Sequence, residues 1–98
     1  MGIGNTKKET KTYYELWYVP KKGGLITVPE RIPESEFNEA HLSRRCFAYR
    51  VYTSQTQNGV AVGTKTYGAF VKVISPRLSE EERAIHTRAY NLLVNKMK

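Results

Sequence analysis

Apolar and polar positions alternate along this chain in short runs, each cut off by proline, glycine or asparagine. The run Thr12-Tyr13-Tyr14-Glu15-Leu16-Trp17-Tyr18-Val19 is dense in aromatic side chains, which favour strands, and Pro20 with Lys21-Lys22-Gly23-Gly24 ends it. Leu25-Ile26-Thr27-Val28 reads as a second short strand, so the pair predicts a hairpin. Pro29 and Pro33 bracket an extended segment. After it, Phe37, Ala40 and His41 recur at helical spacing and predict a helix of about two turns within Ser35 to Ser43. Cys46 to Thr53 is the third predicted strand, and Val60 to Ile74 contains the fourth.

Asn58-Gly59 is the strongest turn signal in the chain, and it creates a conflict of register. A strict two-residue turn would pair Phe47 with Phe70 and Tyr49 with Gly68, placing the row Phe47, Tyr49, Val51 opposite in facing to the row Tyr67, Ala69, Val71, Val73. A three-residue loop, or a bulge near Gly63, restores agreement. The other face keeps Ala48, Tyr52 and Phe70 beside Arg50 and Lys72.

Ser79-Glu80-Glu81-Glu82 matches a capping box, and Ile85, Ala89, Leu92 and Leu93 follow at helical spacing. The predicted architecture is therefore α+β: a two-layer sandwich with a mainly antiparallel four-stranded sheet, two helices and the order β-β-α-β-β-α. Residues 1–11 are mostly small, polar or charged, with Ile3 among few apolar groups, and are expected to form a flexible polar tail, leaving a single domain over 12–98.

Composition narrows the class. The chain has 98 residues, 40% hydrophobic and 26% charged, which suits one modest core rather than disorder or a coiled coil. No run approaches the ~18 apolar residues of a membrane span, and the polar N-terminus lacks the apolar stretch of a signal peptide. A cytoplasmic location without membrane contact is the expectation. The single cysteine, Cys46, excludes an intramolecular disulfide and suits a reducing compartment.

Charge adds a direction. Sixteen basic residues against nine acids give a net charge of +7. Every acid is glutamate, and between Glu39 and Glu80 the chain carries Arg44, Arg45, Arg50, Lys65, Lys72 and Arg77 with no carboxylate at all. A polyanionic or acidic partner suits that balance, although solubility alone also makes proteins basic.

Catalysis finds little support. One cysteine, two histidines and no aspartate do not make a metal site. A Cys46 nucleophile with His41 or His86 requires the two to meet in space, whereas a cysteine opening a strand suits a small core residue. Glu15, between Tyr13 and Trp17 on one strand face, either faces solvent or is buried beside a basic partner such as Arg50. The glycines of 59–66 have the wrong spacing for a phosphate-cradling P-loop. No catalytic residue, metal or cofactor is expected.

The expectation is a small basic binding module that contacts nucleic acid through a basic, aromatic sheet region. Arg44, Arg45, Arg50, Lys65 and Lys72 supply charge, and Tyr14, Tyr18 and Tyr52 stack or anchor. Tyrosines on a small sheet also simply cover a core with their rings. The Asn58-Gly59 hairpin also suits a ribbon in a duplex major groove. The alternative is a protein-interaction module or inhibitor, of the phage or plasmid accessory type, docking on an acidic protein surface. Homo-oligomerisation through the edge of the first strand is a further expectation.

Overall fold

The computed structural model of the protein describes residues 8–20 and 28–97. Its elements follow the order β1 (Lys8–Tyr18), β2 (Glu30–Pro33), β3 (Cys46–Gln57), β4 (Val60–Tyr67), β5 (Val71–Lys72) and α1 (Glu80–Lys96). The strands form one antiparallel sheet in the order β2-β1-β3-β4, with β5 also on β3. The fold is α+β, with a single α-helix among the described residues. No helix among them is long and apolar enough to cross a membrane.

The N-terminal half departs from expectation at the start of β1 and in the strand beside it. Strand β1 begins at Lys8, inside the predicted tail, because Lys8 to Lys11 continue the ladder opposite Ser54 to Gln57. The predicted second strand falls largely on residues 21–27, outside the described ones, and Val28 is exposed. The neighbour of β1 is instead Glu30–Pro33, which pairs Ile32 with Tyr14 and Arg31 with Glu15. Pro33 is tolerated there because β2 is an edge strand.

The predicted helix over Ser35 to Ser43 is not formed. Two 3-10 turns, Glu34–Glu36 and Glu39–His41, stand in its place, separated by extended backbone at Phe37 and Asn38. The Phe37 ring stacks on Tyr14 with centroids 3.8 Å apart and leans on Tyr49 at 4.9 Å. An isolated helix of two turns is marginal in water, so covering these rings outweighs it. The Asn38 side chain accepts the Ala40 amide at 2.9 Å and starts the second turn.

The register conflict resolves in two steps. Asn58 and Gly59 adopt φ of 55° and 79°, the left-handed pair of a tight two-residue turn, with Gln57 opposite Val60. The longer loop is thus not used. A bulge follows where Thr53 faces Thr66 and Gln55 faces Val62, with Gly63 at φ 74° among the extra residues. An unequal number of residues on the two sides between Tyr52–Tyr67 and Tyr49–Val71 then shifts the facing by one. Tyr49 sits opposite Val71, and the Val73 amide donates to the Phe47 carbonyl at 3.0 Å, so the later part of the second row aligns with the first, whereas Tyr67, opposite Tyr52, falls on the other face.

Helix α1 starts as its sequence dictates. The Ser79 hydroxyl accepts the Glu82 amide at 3.2 Å and the Glu82 carboxylate accepts the Ser79 amide at 3.0 Å. Ala89 and Leu93 pack against Trp17, Phe47 and Ala48, with Val19, Phe70 and Tyr90 around them. Ile85 and Leu92, from the same sequence stripe, stay exposed. The core thus sits at one end of the sheet, with α1 on one face and Phe37 on the other. The rest of the sheet projects as a ribbon from this body, within overall extents of 63 × 28 × 21 Å.

Candidate functional site

Residues directly opposite on neighbouring strands share a face, and successive residues alternate. On the face that α1 covers at one end, Trp17 is opposite Ala48, Glu15 opposite both Arg50 and Arg31, and Tyr13 opposite Tyr52, which faces Tyr67. Beyond the helix, three successive rows of one sheet face therefore hold Glu15 with two arginines, then three tyrosines, then Lys11 with Ser54.

The tyrosine row is continuous. Tyr13 stacks on Tyr52 at 5.3 Å and 22°, and Tyr52 meets Tyr67 at 5.5 Å and 37°. Its centre is shielded, with Tyr52 5% exposed, while Tyr67 is 43% exposed. Lys65 stands over the Tyr52 ring, its Nζ 5.3 Å from the centroid. Burial pushes the Tyr52 phenol above its usual range, and nearby Arg31 opposes that shift.

Glu15 organises the neighbouring row. It is buried, and each oxygen accepts one guanidinium: Oε1 from Arg50 Nε at 2.7 Å and Oε2 from Arg31 Nε at 2.8 Å. The sequence offered burial beside Arg50 as one of two outcomes for Glu15, and this is the one adopted. Arg50 is thereby held against three rings, with its Cζ 4.0 Å from the Tyr67 centroid, 4.8 Å from Phe70 and 5.4 Å from Trp17. Its side chain is 15% exposed, whereas that of Arg31 is 50% exposed. Two guanidiniums against one carboxylate leave a residual positive charge, presented by Arg31.

The eight residues singled out in the sequence separate into three groups. Arg50, Lys65 and Tyr52 come together on the helix-side face. Lys72 shares that face but lies at the helix end, opposite Ala48, with its Nζ 5.8 Å from the Tyr90 ring. Tyr14 and Tyr18 lie on the opposite face: Tyr14 beneath Phe37, and Tyr18 donating its hydroxyl to Glu30 at 2.6 Å. Burial and that carboxylate raise the Tyr18 phenol. Arg44 donates to Glu82 at 2.6 Å, and Arg45 donates to the Val19 carbonyl.

Sequence reasoning missed Tyr13, Tyr67, Arg31 and Lys11. Tyr13 was legible from its alternation with Glu15 and Trp17 in one strand. Tyr67 was not, because its place depends on the bulge at Gly63. Arg31 required knowing that Glu30–Pro33 is the strand beside β1.

Other chemistry has less to work with. Burial pushes the Cys46 thiol up to about 11, which keeps it protonated at neutral pH, and its sulfur contacts the Ala48 carbonyl at 3.5 Å. The His86 ring lies between carbonyl oxygens, Nδ1 2.8 Å from Glu82 and Nε2 3.1 Å from Arg44. Among the described residues no three His, Cys, Asp or Glu stand together to hold a metal ion. No family model, no curated protein and no solved structure matches the chain.

Proposed function

We propose that the protein is a non-catalytic nucleic-acid-binding module whose ligand lies along the open part of the helix-side sheet face. The row of Tyr13, Tyr52 and Tyr67, with Lys65 above it, is the observation that carries this reading. Bases stack on the accessible rings of Tyr13 and Tyr67, and phosphates meet Lys11, Lys65 and Arg31. Stacking on aromatic rings within a basic groove is how single strands are held without sequence preference. Glu15 and Arg50 act as positioning residues, since Arg50 is enclosed by rings and its charge is matched internally.

Fluorescence-anisotropy titration with labelled single-stranded and duplex oligonucleotides, at about 50 and 200 mM salt, tests the proposal. With three phosphate contacts to a single strand, affinity falls roughly twentyfold across that salt change. Tyr67→Ala weakens binding by about 1–3 kcal/mol if one base stacks there, and Lys65→Ala flattens the salt dependence. Absence of binding at micromolar protein and low salt overturns the proposal and leaves an acidic protein surface as the partner to pursue.

A further inference from the structure

At the end of the sheet remote from the Asn58-Gly59 turn, the segment entering β3 and the segment joining β5 to α1 border a groove of about 680 Å³. Its size is that of a small-ligand site. Arg44 lines it from one segment and Lys72 and Arg77 from the other, with Glu39 the one acid among the lining residues. Arg44 is ion-paired to Glu82, whereas neither Lys72 nor Arg77 has a carboxylate partner among the described residues. Two hydroxyls add donors. Ser43 Oγ accepts the Arg45 amide at 3.2 Å and Ser75 Oγ accepts the Arg77 amide at 3.3 Å, so each keeps its own proton for a further acceptor.

Three cations and two hydroxyl donors around one cleft match a compact group with several negative oxygens. We propose that this groove binds a phosphate group, as inorganic phosphate or as the terminal phosphate of a phosphorylated ligand. It is a site separate from the tyrosine row and does not depend on what that row binds. Arg77 and Lys72 contact the phosphate, and Arg44, tied to Glu82, forms the wall.

The test is a titration of the full chain with sodium phosphate at constant ionic strength, followed by 31P NMR and calorimetry. Saturable binding is expected, weakened at least tenfold by Arg77→Ala and by Lys72→Ala and unchanged by Lys65→Ala. Circular dichroism establishes that each variant is folded, and Arg77→Gln serves if Lys72→Ala is not. A second arm compares 5′-phosphorylated and 5′-hydroxyl oligonucleotides of one sequence. Tighter binding of the phosphorylated form, lost in Arg77→Ala, identifies a nucleic-acid end as the source. Saturable phosphate binding with no such gain supports the groove with free phosphate as its ligand. Non-saturable behaviour at millimolar phosphate, or wild-type affinity in the Arg77 variant, overturns the proposal. The 5′-hydroxyl oligonucleotide reports on the tyrosine row alone, so the two readings fail independently.

Discussion

Strand β3 passes through two environments in twelve residues. At its start, Cys46, Phe47 and Ala48 are at most 1% exposed, enclosed by β1 and α1. At its end, Ser54, Gln55, Thr56 and Gln57 form a polar ribbon with the start of β1 and with β4, and Gln55 is exposed. The body is ordered by burial of large apolar groups. The ribbon is ordered by its backbone ladder, the left-handed turn at its tip and the strand preference of threonine. A hairpin alone is marginal in water, and the third strand makes it viable. A protein built this way can present side chains from the ribbon side of the sheet without disturbing its core. The tyrosine row lies at the boundary between the two regions.

Mutations separate the two regions, and the largest effect belongs to the body. Phe47→Ala, at a fully buried position, costs about 3–5 kcal/mol in urea denaturation. A cost near 1 kcal/mol would mean that the body is loosely packed. Glu15→Ala leaves Arg50 enclosed without its carboxylate and costs about 3 kcal/mol. Replacing Glu15 and Arg50 together by apolar residues costs less than Glu15→Ala alone, because no unpaired charge is then buried. If the double variant is the worse of the two, the ion pair supports the body by more than charge matching.

Smaller effects follow at the surface. Ser79→Ala removes the cap of α1 and costs about 1 kcal/mol. The Ser79 amide, followed by Arg44, holds the Glu82 carboxyl below its ordinary value. A lowered folded-state value means that this stabilisation is fully present above the ordinary carboxylate pKa and disappears as pH falls through the folded one. The stability difference between the wild type and Glu82→Gln therefore shrinks below about pH 4, as acid titration of unfolding would show. Gln55→Ala on the ribbon stays within about 0.5 kcal/mol. A larger loss, growing with protein concentration, would show that the ribbon packs against a second copy. The glycine bulge and Lys65 on edge strand β4 work against such pairing.

Local devices were legible in the sequence. The Asn58-Gly59 turn, the Ser79–Glu82 capping box and the strand pattern of Tyr13 to Trp17 each depend on side chains within a few residues of one another. The need for an offset between the apolar rows of β3 and β5 was legible too, but not its division between the bulge at Gly63 and the irregularity before Val71. The candidate site was half legible: Arg50, Lys65 and Tyr52 are in the cluster, while Tyr14 and Tyr18 are on the other face.

By itself the sequence determined which segments prefer strand or helix, where α1 begins, and that the centre of the chain is basic, because propensity, capping and charge are properties of neighbours along the chain. Only the tertiary structure decided the rest. Phe37 had to find Tyr14 before the expected helix gave way to two short turns. Arg50 had to find Glu15, thirty-five positions away, before its charge was matched inside the fold rather than offered to a ligand. These outcomes depend on distant residues competing for the same contacts, and such competition is settled only when the strands take their register.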